Sequence, residues 1–356
     1  MIGQLVARAL EGCWREQPLE CLLTKGELAQ AAPGLLAGSA GGLAWRKVRD
    51  SSAAHSPAGE QLREAYRRHS LQAALHFEEI DQVFRLLSDE GIDALLIKGW
   101  SVARLYPEIG LRPYGDLDLV FRPRQFSLAC ELLSKLDRRR FNIDPHEGAS
   151  RFDAVSTEEL FERSIKVTAG SIEVRILCPE DHLRILCTHA LRHGMWRPVW
   201  LCDIAASVET RHSGFDWGLC LGDGPRVADW VMCAIALAGR LLGARIEETP
   251  AAARMATLPD WFLSQVLKSW SRSNHPLLAP LGSYAGRPAG LLNLRRLPAS
   301  LKDRWPDPIR ASIGLGMPLN GLPRLPIQLG YVISRAAEIV RELPKSLARR
   351  GTAPDS

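Results

Sequence analysis

The sequence predicts an α+β fold, in which a short mixed sheet is flanked by helices and further helical segments precede and follow it. Short apolar runs bounded by Gly or Pro are typical of buried strands. Longer stretches between them carry apolar residues at helical spacing, which predicts amphipathic helices. With 356 residues, 46% of them hydrophobic and 24% charged, the chain has the composition of a globular protein and the length of about two domains.

The N-terminal part leads up to the first strand. Residues 1–58 are short apolar patches separated by small residues, which predicts loosely packed helices followed by a linker. The stretch Glu60 to Glu90 contains no Gly or Pro and has apolar residues at helical spacing, so we expect one long helix or two joined ones. Gly91 is placed to end this helix as a C-cap, and residues 92–97 then predict a strand.

Further strand regions follow. Residues 116–121 predict a second strand and residues 125–136 a helix. Residues 165–167 and 171–177 predict a strand pair joined by a Gly-containing hairpin turn. Between these regions, Asp144-Pro145-His146-Glu147 predicts a turn.

Beyond Pro179 the pattern is again helical, and the last seventy residues are rich in Pro and Gly before a final helix. The predicted organisation therefore has four parts. They are an N-terminal helical and linker segment (1–58), a core with its leading helix (59–180), a helical domain (181–286) and a basic C-terminal segment ending in a helix (287–356).

The net charge of +5 is concentrated near the C-terminus. Residues 287–356 contain twelve basic and five acidic residues, a net charge of +7, whereas residues 1–286 sum to −2. The basic segment is the predicted docking place for an anionic partner, such as nucleic acid or a membrane surface, and a solvated helical face is the alternative.

Cysteine spacing and hydropathy limit the other classes. The eight cysteines show no zinc-knuckle spacing and predict small buried hydrophobes. Charges interrupt the first thirty residues, which is unlike a signal peptide, and the apolar run Trp230 to Gly239 has about half the length of a membrane span. We therefore expect a cytoplasmic protein with no transmembrane segment.

Paired carboxylates mark the second strand. Asp116 and Asp118 alternate with leucines, so both carboxylates point to one face. Such a pair repels itself unless a cation lies between, and Mg²⁺ or Mn²⁺ prefers oxygen ligands. Alternation in the later strand turns Glu173 to its polar face, so that three acids from two adjacent strands would form a two-metal site. The alternative is that all three are exposed polar positions of half-buried strands.

A phosphate-binding turn is predicted just upstream of this strand. The segment Leu96-Ile97-Lys98-Gly99-Trp100-Ser101 is a strand that runs into a Gly turn and a helix N-terminus. Backbone N–H groups and the helix dipole attract phosphate at such a position, aided here by Lys98 and the hydroxyl of Ser101. Arg112 lies between this turn and the carboxylates.

Together these motifs resemble the nucleotidyltransferases of the DNA polymerase β superfamily, in which a Gly-Ser-type turn precedes a DxD strand and a third acid stands on a neighbouring strand. The likeness is to the branch called uncharacterised nucleotidyltransferase family 5 and covers about residues 60–210. The chain departs from the pattern where Trp100 separates Gly99 from Ser101 and where Arg175 replaces a His beside the third acid. The matching positions are Leu96-Ile97-Lys98-Gly99, Leu105-Tyr106-Pro107, Arg112 with Asp116 to Val120, Ile172-Glu173-Val174-Arg175, and His182 to Asp203 with Trp196.

The resemblance implies the minimal nucleotidyltransferase fold and a reaction in which a nucleoside monophosphate passes from a nucleoside triphosphate to an acceptor hydroxyl. It also implies Mg²⁺ or Mn²⁺ as cofactor, with Glu173 either binding the second metal or taking the proton of the acceptor. The residues with implied functions are the metal-binding and catalytic Asp116, Asp118 and Glu173, and the phosphate-binding Lys98, Gly99, Ser101 and Arg112.

The acceptor stays open among small molecules, saccharides, peptides and RNA, because a fold does not choose among them. A second hypothesis is a non-catalytic accessory protein that binds a nucleotide or peptide with the same fold in a biosynthetic pathway. Retention of both Asp116 and Asp118 favours the enzyme. His189 and His193 share a helix face, and for them we expect a packing or hydrogen-bonding function rather than metal binding.

Overall fold

A five-stranded mixed sheet occupies the middle of the chain in the computed structural model, which describes residues 1–152, 154–272 and 305–350. The strands are β1 (Ala94–Leu96), β2 (Leu117–Phe121), β3 (Ile143–Glu147), β4 (Ile165–Ala169) and β5 (Ile172–Ile176). Their order across the sheet is β3-β2-β1-β5-β4. β1 pairs antiparallel with β2 and parallel with β5, so that it separates these two strands. The mixed sheet and the β4–β5 hairpin expected from sequence are confirmed.

The turn expected at residues 144–147 is wrong, because this segment is strand β3. It pairs parallel with β2 over its whole length, with Asp144 opposite Asp118 and Pro145 opposite Leu119. Proline lacks the N–H that a central strand must donate, and β3 tolerates it because it lies at the edge of the sheet.

Helices surround the sheet and continue on both sides of it in sequence. The stretch from Glu60 forms one helix rather than two; Ser56 caps its start by accepting a hydrogen bond from the Gly59 N–H, and Gly91 at a φ of +66° ends it. The helices are α1 (Ile2–Leu10), α2 (Lys25–Ala37), α3 (Gly41–Val48), α4 (Pro57–Asp89), α5 (Trp100–Ala103), α6 (Pro123–Ser134), α7 (Thr157–Arg163), α8 (Pro179–Arg192), α9 (Pro198–Glu209), α10 (Trp217–Leu221), α11 (Pro225–Leu242), α12 (Ala252–Met255), α13 (Asp260–Trp270), α14 (Pro308–Gly314) and α15 (Leu325–Arg350).

Each face of the sheet has its own small core. Leu96 and Leu119 lie on the face covered by α4 and α6, with which they form one apolar cluster. Leu95 and Val120 lie on the opposite face and pack with residues of α7 and α8. Strand alternation therefore places the even positions of β2, including Asp118, on the face that α8 covers.

The largest core joins the N-terminal helices to the helices after the sheet. Val6 and Leu10 of α1 and Leu35 of α2 are fully buried in one cluster with residues of α8, α9, α11 and α13. Residues 1–58 are therefore closely packed, in contrast to the loose packing expected from their small residues, because Ala and Gly positions let helices approach closely. Six of the eight cysteines are buried, as expected for small apolar side chains.

The basic C-terminal segment is described only in part. Its residues 287–304 and 351–356, which include Arg287, Arg295, Arg296, Lys302 and Arg304, lie outside the described residues. Within the described ranges, no helix combines the length and apolarity needed to cross a membrane.

Candidate active site

A cavity of about 1600 Å³ lies between one end of the sheet and the helices that follow it. One wall is formed by the turn after β1 and the loop before β2, and it carries Lys98, Asp116 and Asp118. A second wall comes from the end of α8 and the start of α9. The remaining wall comes from α13 and the segment around α14.

The two carboxylates of the DxD motif both reach this cavity. Asp116 directly precedes β2 and is exposed, whereas Asp118 lies within the strand and is 7% exposed. The Nζ of Lys98 lies 3.2 Å from Oδ2 of Asp118 and 4.9 Å from the ring centroid of Phe152. The turn predicted to bind phosphate and two of the three predicted metal carboxylates, Asp116 and Asp118, thus meet at one place.

Asp144 and His146 on β3 join Asp118, a pairing that the turn expected from sequence did not foresee. The Nε2 of His146 lies 3.3 Å from Oδ1 of Asp118 and 3.3 Å from Oδ2 of Asp144. Ligand atoms of the three side chains all lie within 4.8 Å of one another. Parallel pairing produces this group, because Asp144 stands directly opposite Asp118 and His146 is two residues further along the same face. The alternation of Asp144 and His146 is the signal in the sequence, and Pro145 between them obscured it.

Glu173 is not brought to this group. Our sequence reasoning placed it on a strand adjacent to the DxD strand, but β1 lies between β2 and β5. The register puts Glu173 four residues from the level of Asp118, about 13 Å along the strand direction. Its side chain is 65% exposed and pairs with Lys166, whose Nζ lies 3.1 Å from the carboxylate.

The Lys98-Gly99 turn depends on a backbone conformation that favours glycine. Gly99 has φ +67° and ψ −113°, and a Cβ at this position would lie 3.2 Å from the carbonyl oxygen of Asp116. The turn therefore rests directly on the loop that carries Asp116. This close approach places Lys98 beside Asp118.

Ser101 is turned away from the cavity. Its hydroxyl is buried, donates to the carbonyl oxygen of Lys98 over 3.3 Å and lies 3.4 Å from Nε2 of His182. Burial, together with the positive charges of Arg104 and Arg112, lowers the pKa of His182 to about 3. Ser101 thus supports the turn from beneath, and the structure does not bring its hydroxyl to the phosphate-binding place expected from sequence.

Arg112 lines the cavity, but its guanidinium is bound within the protein. Its Nε and Nη2 donate to the fully buried carboxylate of Asp203 over 2.9 to 3.2 Å, and its Nη1 donates to the Pro113 carbonyl. The hydroxyl of Tyr106 donates to the same carboxylate over 2.7 Å. Burial and the Asp203 charge raise the pKa of Tyr106 well above its usual value, which keeps the hydroxyl a donor. Arg112 thus links α9 to the loop before β2.

An aromatic cluster forms the wall at the end of α8. The rings of His189 and His193 are 4.6 Å apart and lie 5.2 and 5.5 Å from the ring of Trp200. Burial and the charges of Arg310 and Lys98 lower the pKa of His193 to about 4, and burial lowers the pKa of His189 well below its usual value. Both rings are therefore neutral at pH 7. The candidate metal-ligand group found among the described residues, formed by Asp118, Asp144 and His146, contains neither of them.

Arg197 is a cavity residue that sequence reasoning missed. Its guanidinium lies 4.8 Å from the ring of Trp196 and 5.6 Å from that of Trp200, and its Nε has no hydrogen-bond partner among the described residues. Burial and the charge of Arg112 lower its pKa. The sequence marks Arg197 only by its position directly before the proline that begins α9.

A family model described as an uncharacterised nucleotidyltransferase matches residues 38–147 and 138–243, which together are more than half of the chain. Comparison with curated proteins finds no significant match, and neither does comparison with solved structures. The matched residues include the whole sheet, the candidate metal-ligand group and the end of α8.

Proposed function

Since this chain belongs to the family of uncharacterised nucleotidyltransferases, we propose that it transfers a nucleoside monophosphate from a nucleoside triphosphate to an acceptor hydroxyl. The observation that carries this proposal is the group formed by Asp118, Asp144 and His146, in which Asp118 lines the cavity beside Lys98. Carboxylates that converge next to a cationic side chain suit a metal-bound polyphosphate.

The donor set fits a divalent cation. Two carboxylates and an imidazole nitrogen lie within 4.8 Å of one another, and Asp116 adds a further carboxylate on the same wall. Oxygen donors suit Mg²⁺ and Mn²⁺, and an imidazole nitrogen favours Mn²⁺ over Mg²⁺. When bound, such an ion supplies positive charge to the phosphate oxygens of the nucleotide.

Asp144 takes the place in this proposal that sequence reasoning assigned to Glu173. Asp116, Asp118 and Asp144 are then the metal-binding acids, and Asp144 also receives the proton of the acceptor hydroxyl. It is suited to this because it is half-exposed at the edge strand, where an acceptor can reach it. Glu173 keeps its ion pair with Lys166 at the other end of the sheet.

The cationic residues of the cavity position the nucleotide. Lys98 and Arg197 bind the triphosphate, and the Gly99 turn brings the backbone close to it. The acceptor oxygen forms a bond to the α-phosphorus. The bond between this phosphorus and the oxygen that bridges it to the β-phosphorus breaks, and pyrophosphate leaves. Arg112 and Ser101, whose polar atoms are bound within the protein, hold the surrounding loops in place.

The proposal is tested by incubating the protein with each nucleoside triphosphate, labelled at the α-phosphate, together with Mg²⁺ or Mn²⁺ and a host extract. We expect label to enter an acceptor. Asp118→Asn and Asp144→Asn should each lower the rate at least about a hundredfold, because they remove a metal ligand or the proton acceptor. The unfolding midpoint of Asp144→Asn should be nearly unchanged, because this side chain is half-exposed. Asp118→Asn removes the buried partner of Lys98 and should lower the midpoint.

Glu173→Gln is the matched control and should keep the rate within about twofold, because its carboxylate lies far from the cavity. A loss with Glu173→Gln equal to that with Asp118→Asn would contradict the assignment of Asp144. Nucleotide binding without any transfer would instead support the accessory hypothesis.

A further inference from the structure

The cavity is larger than one nucleotide requires. Small-molecule sites typically measure about 300 to 1,000 Å³, whereas this cavity measures about 1600 Å³. Asp116, Asp118 and Lys98 lie on one wall, and α13 and α14 form another. A second molecule therefore has room beside a bound nucleotide. The residues of the α13–α14 wall indicate the chemistry of that molecule.

The α13–α14 wall carries two cationic side chains, Lys268 and Arg310. Among the residues that the structure describes, neither forms an ion pair. Arg310 is held in place because α14 packs on Gly194 at the end of α8, where an added Cβ would lie 3.2 Å from Cγ of Arg310. Burial and the positive charges of Arg310 and Lys98 lower the pKa of the nearby His193.

One carboxylate, Asp307, belongs to the same wall, but it is engaged with α14 and α13. Its Oδ1 accepts the backbone N–H groups of Ile309 and Arg310 over 2.9 and 3.1 Å, and its Oδ2 accepts from the side chain of Gln265. Burial raises its pKa. Asp307 therefore begins α14, and it acts on Arg310 through its charge, without an ion pair between the two among the described residues.

We propose that the acceptor carries a phosphate monoester, which binds to Arg310 and Lys268 while the hydroxyl of the acceptor faces Asp118 and Asp144. This inference rests on the proposed function. A phosphate monoester has a charge near −2 at neutral pH and matches two cations, whereas a carboxylate matches one. The fork of Arg310 suits phosphate oxygens, and the neutral ring of His193 supplies a further hydrogen bond.

The test uses the full chain saturated with Mg²⁺ and an α,β-methylene nucleotide analogue, which is not transferred. Inorganic phosphate is then titrated calorimetrically. We expect phosphate to bind to the loaded wild type. Arg310→Gln and Lys268→Gln should each weaken phosphate binding at least about tenfold, the effect of one charge-assisted hydrogen bond, and change the affinity for the analogue less than about twofold.

Arg240→Gln is the matched control, because Arg240 is exposed on α11 and does not line the cavity. It should change neither affinity. The proposal is overturned if the loaded wild type does not bind phosphate, or if Arg310→Gln weakens the analogue instead, since both results assign these cations to the triphosphate.

Failure of the proposed function is seen separately, as absence of analogue binding. In that event phosphate is titrated into the unloaded chain, where equal affinities for wild type and Arg310→Gln would still overturn the assignment of Arg310. A second measurement uses the transfer assay with an extract whose phosphate esters were hydrolysed by a phosphatase that was then removed. Label uptake should be lost, and undiminished uptake would contradict a phosphorylated acceptor.

Discussion

Gly99 is the residue on which the turn between β1 and the cavity depends. Its φ of +67° with ψ −113° is open to glycine but strained for other residues, and the Asp116 carbonyl leaves little room for a Cβ. The motif in the sequence predicted a Gly turn, and the structure adds that the turn packs on the loop carrying the carboxylate of Asp116. A substitution here therefore acts on both.

We expect Gly99→Ala to lower the free energy of unfolding by about 1 to 3 kcal/mol, the usual cost of a strained backbone, and to weaken binding of the nucleotide analogue. Urea denaturation and calorimetry measure the two effects. Gly26→Ala is the control, because Gly26 is in α2 with no atom within 4 Å of an added Cβ. It should be neutral or stabilising by up to about 1 kcal/mol. Equal losses in both variants would contradict the strain argument.

His182 makes the stability depend on pH. Its pKa is about 3 in the native protein and near 6.5 when unfolded, so between these values the unfolded chain binds a proton that the native protein does not. The free energy of unfolding therefore falls as the pH falls from 6.5, by up to about 1.4 kcal/mol per pH unit from this residue, and the loss is complete near pH 3.

His182→Gln should remove this part of the pH dependence. Urea denaturation of both proteins at pH 7, 6 and 5 measures it, because the groups common to both cancel in the difference. The positive charges that face His182 are those of Arg104 and Arg112. Identical pH dependence in the two proteins would show that His182 has the same pKa in the native and the unfolded protein.

Strand β3 shows how pairing decides a site. Its parallel register with β2 sets Asp144 opposite Asp118, and a shift by one residue would turn both Asp144 and His146 to the other face. The DxD motif was readable because it lies at the start of an apolar strand. The acids of β3 and β5 look alike in the sequence, and only the strand order separates them.

Helix α9 is tied to the loop before β2 by Asp203. The fully buried carboxylate of Asp203 accepts hydrogen bonds from both Tyr106 and Arg112. All three residues belong to the motifs of the family resemblance, which implied no contact among them. Asp203→Ala would leave a buried guanidinium without its partner. This link joins the helices after the sheet to the loop that carries Asp116.

We expect Asp203→Ala to lower the free energy of unfolding by about 3 to 5 kcal/mol, the usual cost of breaking a buried ion pair on one side. Glu131→Ala is the control, because Glu131 forms an exposed ion pair with Lys135 on α6, and it should leave the unfolding midpoint nearly unchanged. A loss in the Asp203 variant no larger than that of the control would show that Arg112 finds another partner.

The helices before and after the sheet share one core, so the N-terminal segment is part of the structure that supports the site. Leu10 is fully buried with residues of α9 and α11, and it therefore reports on this shared core. The basic segment joins the cavity as well, since Arg310 and Arg324 line it. Docking of a further anionic partner on this segment stays a prediction.

We expect Leu10→Ala to destabilise the protein by about 2 to 5 kcal/mol, the range for a leucine truncated in a packed core. Leu22→Ala is the control: this side chain is 75% exposed, and its truncation should change stability by less than about 0.5 kcal/mol. Urea denaturation measures both. A small effect in the Leu10 variant would instead support the loose packing of residues 1–58 that was expected from the sequence.

Local patterns were enough to predict α4, α6 and α8, β1, β2, the β4–β5 hairpin, the Gly99 turn and the paired carboxylates of Asp116 and Asp118, because each depends on residues close together in the chain. The position of Asp144 beside Asp118, the position of Arg197 in the cavity wall and the orientation of Ser101 away from the cavity depend on pairing and packing between distant segments. In the strand order, β1 separates Glu173 from β2, whereas β3 sets Asp144 beside Asp118. Alternation reveals which face a side chain takes, but nothing in a strand's own sequence states which neighbour it pairs with, so that choice belongs to the tertiary structure.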